Sequence, residues 1–178
     1  DSTFTLKRDR DHARGGISHN ARVGADLIFD KKNTLTLSGN FNHGNERNTS
    51  TVEYRELNSN DKVTSTIIRD QLEKELDQNV EGNIRYEKSF EKEDHKWITD
   101  MKYTLDKDHE RADIDESVKG ESRGIDQKSD NVEDEENYMF KSDYIHPFGN
   151  EGKFETGIKS TNRFIDNIYK VEQKDKND

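Results

Sequence analysis

The sequence predicts an all-β fold, an antiparallel up-and-down meander of about seven strands, and three observations carry that expectation. Apolar and polar side chains alternate over successive runs of roughly ten residues. The connections between those runs alternate strictly between long and short. No apolar stretch approaches the ~20 residues that a membrane-spanning helix needs.

Taken in order, Phe4 and Leu6 open a short first alternation, followed by a polar connection over residues 9–15. Ile17, His19, Ala21, Val23, Ala25, Leu27 and Phe29 then share one face, while Ser18, Asn20, Arg22, Gly24 and Asp26 share the other. Asp30-Lys31-Lys32-Asn33 is a compact turn, rich in residues that favour one. Leu35, Leu37, Gly39 and Phe41 oppose Thr34, Thr36, Ser38 and Asn40. After a long connection over 45–78, Val80, Gly82, Ile84, Tyr86 and Phe90 form a face interrupted by Lys88. A short turn from Glu91 to His95 leads into Trp97, Thr99, Met101, Tyr103 and Leu105. The second long connection covers 107–136, and Tyr138, Phe140, Tyr144 and Phe148 resume the alternation. Gly149 to Gly152 is the last short turn, before Phe154, Thr156, Ile158 and Ser160. Within 45–78, Ile68, Leu72 and Leu76 stand four apart, a spacing that fits either a short helical stripe or a strand extension.

Composition limits what such a meander can be. Leu, Ile, Val and Phe make up 35 of 178 residues and charged residues 38%. A large dry core is therefore excluded, and composition alone leaves disorder open. The net charge of −10 argues against a nucleic-acid partner, which would select a basic patch. Residues 106–137 hold 13 acidic against 5 basic side chains, and 45–78 hold 8 against 5. The acidity thus belongs to the two long connections. There is no Cys, hence no disulfide or thiolate metal site.

Short turns at one end, long connections at the other and strands of about ten residues are the plan of a transmembrane β-barrel. Phe29, Phe90, Trp97, Phe148 and Phe154 flank the short turns, where an aromatic girdle at one membrane interface belongs. The expected lipid-facing set is Val23, Ala25, Leu27, Phe29, Leu35, Leu37, Phe41, Ile84, Tyr86, Phe90, Trp97, Met101, Tyr103, Leu105, Phe140, Tyr144, Phe154 and Ile158. Lys88 is placed at the periplasmic rim, where its amine can reach the headgroups.

Three stretches carry a family resemblance. They are Arg22 to Asn42, with its Gly-x-Asp strand, Lys-Asn turn and Thr-Leu-Thr-Leu-Ser-Gly strand; Tyr86-Glu-Lys-Ser-Phe90; and Asp143 to Lys159, with Asp-Tyr, Pro and Gly-Lys-Phe-Glu-Thr-Gly-Ile-Lys in order. Together they resemble the barrel domain of the TonB-dependent receptor-like outer-membrane proteins common in Bacteroidota. The resemblance implies a 22-stranded pore with an N-terminal plug, a TonB-type energy coupler and import of a bulky ligand across the outer membrane of a Gram-negative bacterium. It covers the strands and short turns, and the acidic connections show none of it. Asp1 without a preceding signal segment, about seven strands and the ending Lys174-Asp-Lys-Asn-Asp178 lead us to expect residues 1–178 to be a single partial barrel domain cut from the interior of a longer parent. Its partners would be outer-membrane lipid and the rest of the parent barrel and plug.

Candidate chemistry is sparse. Asp126 to Glu136 is rich in oxygen ligands but lacks the Gly and spacing of a calcium loop. His12, His19, His43, His95, His109 and His146 show no metal-ligand spacing, and His95 and His146 read as turn residues. Asp113 and Asp115 share strand parity without a hydrophobic pocket to separate their pKa values. No catalytic residue, cofactor or metal is expected, so the chain is read as a structural wall and not an enzyme. The acidic connections 45–78 and 107–136 are the expected ligand-contacting loops. Two alternatives remain at this level: a soluble all-β binding or adhesion module, and an acidic disordered tether.

Overall fold

The computed structural model describes residues 5–122, 124–149 and 152–175. They form one six-stranded sheet: β1 (Thr5–Asp30), β2 (Asn33–Leu57), β3 (Val63–Ser89), β4 (Lys96–Val118), β5 (Gly124–Phe148) and β6 (Gly152–Asp175). Neighbours in sequence are neighbours in space, in the order β1-β2-β3-β4-β5-β6. Every pair is antiparallel. The all-β meander expected from alternation is therefore present. The count is six where about seven were expected, because the opening run, the connection 9–15 and the run from Ile17 are one continuous strand, β1. Phe4 lies outside the described residues.

The two acidic segments differ from expectation in the same way. Residues 45–78 and 107–136, read as loops, are almost entirely strand. Only the turns between β2 and β3 and between β4 and β5 interrupt them. Backbone pairing needs a neighbour on each side and does not need an apolar face. A strand that leaves the lipid therefore keeps its ladder while losing the alternation by which a sequence announces it. Ile68, Leu72 and Leu76 belong to β3, with no helical turn. A spacing of four is also a multiple of two, so all three still share a face.

The short turns hold the ends in register. Asp30 caps the first: its Oδ1 accepts from Lys32 N at 2.7 Å and Asn33 N at 2.9 Å. The Lys32 amide first, and then the Asn33 side chain, hold this carboxyl below its usual range. Lys32 pairs with Glu91 in the next short turn. Lys92 Nζ donates to Pro147 O at 2.8 Å, joining that turn to the third. At the opposite end Asp61 (φ 56°) and Gly120 (φ 84°) take left-handed conformations that close the long hairpins. A side chain at Gly152 would collide with the Phe148 ring, 2.5 Å from an ideal Cβ, so the β5–β6 hairpin depends on glycine there.

Among the described residues no second layer packs on the sheet. Val52, Leu57 and Ala112 are the buried hydrophobic residues among those described, and many large apolar side chains are exposed. A lone sheet with that surface is a wall between two different environments.

Candidate functional site

The register sorts the half of the sheet nearest the short turns into two chemically opposite faces. One row runs Ala25, Leu37, Ile84, Met101, Phe140 and Ser160. The next runs Leu27, Leu35, Tyr86, Thr99, Ser142 and Ile158, and another Val23, Gly39, Gly82, Tyr103, Tyr138 and Asn162. Phe41 and Leu105 meet through Val80 one step further along. Trp97 and Tyr144 form a cross-strand pair, and Phe154 pairs with His146 on the same face. The residues expected to face lipid thus fall on a common face. The exceptions are Phe29, which lies in the bulge between Ile28 and Asp30, and Phe90, just past the end of β3.

The other face is mainly polar, with Ile28, Ile98, Met139 and Ile145 among its apolar members. Its rows include Asp26, Thr36, Arg85, Asp100, Lys141 and Lys159, then Arg22, Asn40, Glu81, Thr104, Asn137 and Arg163. Charges are interleaved: Arg85 Nη1 lies 3.0 Å from Asp100 Oδ1, Lys102 Nζ 2.7 Å from Glu81 Oε2, and Lys96 Nζ 3.5 Å from Glu87 Oε1. Ile84 and Met101 are 46% and 48% exposed, whereas the Asp100 and Glu135 side chains are only 23% and 16% exposed. Carboxylates better covered than isoleucine and methionine mark the polar face as the crowded side of the sheet, which is the inner side of a barrel.

Two aromatic side chains near the short turns have their polar atoms engaged. Tyr86 Oη donates to Asn33 Oδ1 at 2.6 Å, and Trp97 Nε1 donates to Ser142 Oγ at 2.8 Å. Each ring keeps its polar atom bonded while its body covers the apolar face. Lys88 stands one residue from the end of β3, its amine 5.3 Å from the centre of the Phe90 ring.

Further from the short turns, the polar face becomes acidic. Asn79, Asp106 and Glu135 form one row; Gly44, Asp77, Asp108 and Glu133 the next; Glu46, Glu75 and Glu110 the third; Asn48 and Glu73 begin the fourth. Asn48 Nδ2 donates to Glu73 at 3.0 Å, Asn167 Nδ2 donates to Glu133 at 2.8 Å, and Arg163 pairs with Glu135. Arg163 holds the Glu135 carboxyl below its usual range. Burial, then Asp77 opposite and the acids beside it, push the Asp108 carboxyl up to about 6. Burial and the charges of Asp77, Glu46, Glu110 and Glu73 raise Glu75. On the reverse face of the same rows the acids are neutralised: Asp130 meets His109 Nε2 at 2.7 Å and Arg111 Nε at 3.4 Å, and Asp134 meets Lys107 Nζ at 3.0 Å. The net acidity of the long segments is thus concentrated on the inner face.

This acidic face was not singled out from the sequence, although its signal is present. Glu73, Glu75 and Asp77, then Asp106, Asp108 and Glu110, then Glu133 and Glu135, stand two apart, the strand period written in charge. Asp113 and Asp115 do share a face, the outer one.

A sheet with one apolar and one ionic face, closed by short turns at its apolar end, defines a segment of a transmembrane β-barrel wall. A family model described as "Outer membrane protein beta-barrel family" matches residues 88–178, just over half of the chain, and the chain belongs to that family. Its place is the outer membrane, embedded in lipid. No curated protein matches the chain. Among solved structures, the membrane pore complex of pneumolysin aligns with 95% of this chain and 31% of its own, at 9% identity and a TM-score of 0.19. A likeness of that size has no bearing on fold or function, and the chain spans under a third of that protein.

Proposed function

We propose that the chain walls the pore of an outer-membrane receptor of the TonB-dependent type, a passive, non-catalytic segment through which a bulky ligand is imported. The observation that carries this reading is the change along the inner face. Paired charges line it at the level of the apolar band, and carboxylates crowd it beyond. The residues from Val23 to Ile158 on the apolar face contact lipid, the short turns lie on the periplasmic side, and β2–β5 project outward. An inner wall of one sign concentrates cationic groups and excludes anionic ones at the mouth. The likeness of Arg22–Asn42, Tyr86–Phe90 and Asp143–Lys159 to receptor barrels supports the import role and the involvement of a plug and TonB-type coupler in the parent.

The test is binding of the full-length protein, folded in detergent, to the isolated periplasmic domain of the host's TonB-type coupler. Specific binding is expected. A folded, membrane-inserted barrel that never engages any coupler of its host would remove the receptor reading and leave the wall.

A further inference from the structure

At the short-turn end of the apolar face, three donor atoms from residues distant in sequence converge. His95, just before β4, stands opposite His146 of β5, one step beyond the last ladder pair Lys96–Ile145. His95 Nε2 lies 2.9 Å from Tyr144 Oη and 3.4 Å from His146 Nδ1, and Tyr144 Oη lies 3.5 Å from His146 Nδ1. A tetrahedral ion with ligand bonds of 2.0–2.1 Å separates its ligands by about 3.3 Å. All three separations lie near that value, so a single ion can reach all three atoms with small side-chain adjustments.

The surroundings fix the rings. Phe90 stacks on His95 with centroids 4.0 Å apart, and the His95 and His146 rings stand at 89° with centroids 4.6 Å apart. Tyr144 sits edge-on to Phe90 at 6.2 Å. The nearby amine of Lys92 is engaged by the carbonyl oxygens of Pro147 and Gly149, at 2.8 and 3.4 Å. Among the described residues no group of three His, Cys, Asp or Glu side chains is placed to hold a metal ion, and the third ligand here is a phenol.

We propose that His95, His146 and Tyr144 form a binding site for a divalent transition-metal ion, with two imidazole nitrogens and one phenol oxygen as ligands and a fourth position open to water. Imidazole suits Zn²⁺, Cu²⁺ and Ni²⁺, and Cu²⁺ binds such a set most tightly. A bound ion ties the β3–β4 turn to β5 at the membrane rim and fixes the register of two hairpins at once. It acts on the wall and leaves the acidic inner face untouched, so it stands independently of the import reading.

The probe is Cu²⁺ added to the full-length protein in detergent micelles, followed by electron paramagnetic resonance. One ion per chain is expected, with hyperfine splitting from two imidazole nitrogens. His146→Ala should lower affinity at least tenfold, and the His95→Ala, His146→Ala double variant should abolish the signal. Tyr144→Phe should keep both nitrogens and lose any phenolate charge-transfer absorption. Folding of each variant is checked by its heat-dependent gel mobility. Where a variant fails that check, Zn²⁺-dependent protection of the 91–95 turn from protease in the unmodified protein replaces it, with protection expected. Equal Cu²⁺ binding by the double variant, or no protection by Zn²⁺, overturns the site.

Discussion

Asp108 carries the clearest pH signature at the scale of the residue. Its carboxyl is raised from 3.8 to about 6 in the folded sheet, so the folded state holds more protons than the unfolded chain between those values. Stability of the outward half therefore falls as pH rises through that window. Asp108→Asn should flatten the dependence and slow amide exchange in β3 and β4 at pH 7.5. Faster exchange in that variant would refute the repulsion. On the outer face, Ile84→Lys sets a charge in the middle of the apolar band and should cost about 2–4 kcal/mol in a lipid bilayer. Asn83→Lys, one residue along on the inner face, should cost much less, as measured by denaturant unfolding in liposomes. Lys88 shows why this contrast was legible in sequence: alternation sorts side chains by face, and a lone lysine off-pattern was explicable only at a rim. The partners of His95 were not legible, because 51 residues separate it from His146 and only the register brings them together.

Elements were legible to the extent that lipid wrote them. β2, β3, β4, β5 and β6 were found in the stretches nearest the short turns, where one face is apolar and the other polar. The outer halves of β2, β3, β4 and β5 read as loops, since water on both sides removes the apolar–polar alternation and leaves Lys74, Glu75 and Glu110 looking like a solvated connection. The hydrogen-bonded ladder that defines those halves has no sequence period of its own. The true turns are therefore small. Asn58 builds one by itself, its Oδ1 accepting from Asn60 N at 3.0 Å and Lys62 N at 3.1 Å. In the proposed orientation, an epitope inserted at Asn60 or Gly120 should be labelled on intact cells, and one inserted at Lys31 only after the outer membrane is permeabilised. Labelling in the reverse sense would invert the wall.

For the molecule as a whole, the decisive feature is that β1 and β6 are both edges. Each exposes a row of backbone donors and acceptors over more than twenty residues. Lipid offers those groups no partners, so in the membrane both edges must be paired with further strands. The isolated chain should accordingly self-associate in detergent, which sedimentation would show, whereas a discrete monomer with fast-exchanging edge amides would contradict a continuous wall. The length of the strands has a different consequence. At 23 to 27 residues each, they rise about 75–90 Å, and a bilayer accounts for only about 9–11 residues of each. In a tilted barrel wall the remaining roughly 12–18 residues of each would stand about 30–45 Å above the lipid, as a chimney. Physiological salt screens charge within about 8 Å, so the inside of such a chimney is several screening lengths deep. In the proposed barrel, a solute entering it would meet Glu75, Asp77 and Asp108 several screening lengths below the mouth, beyond the reach of charges in the bulk medium.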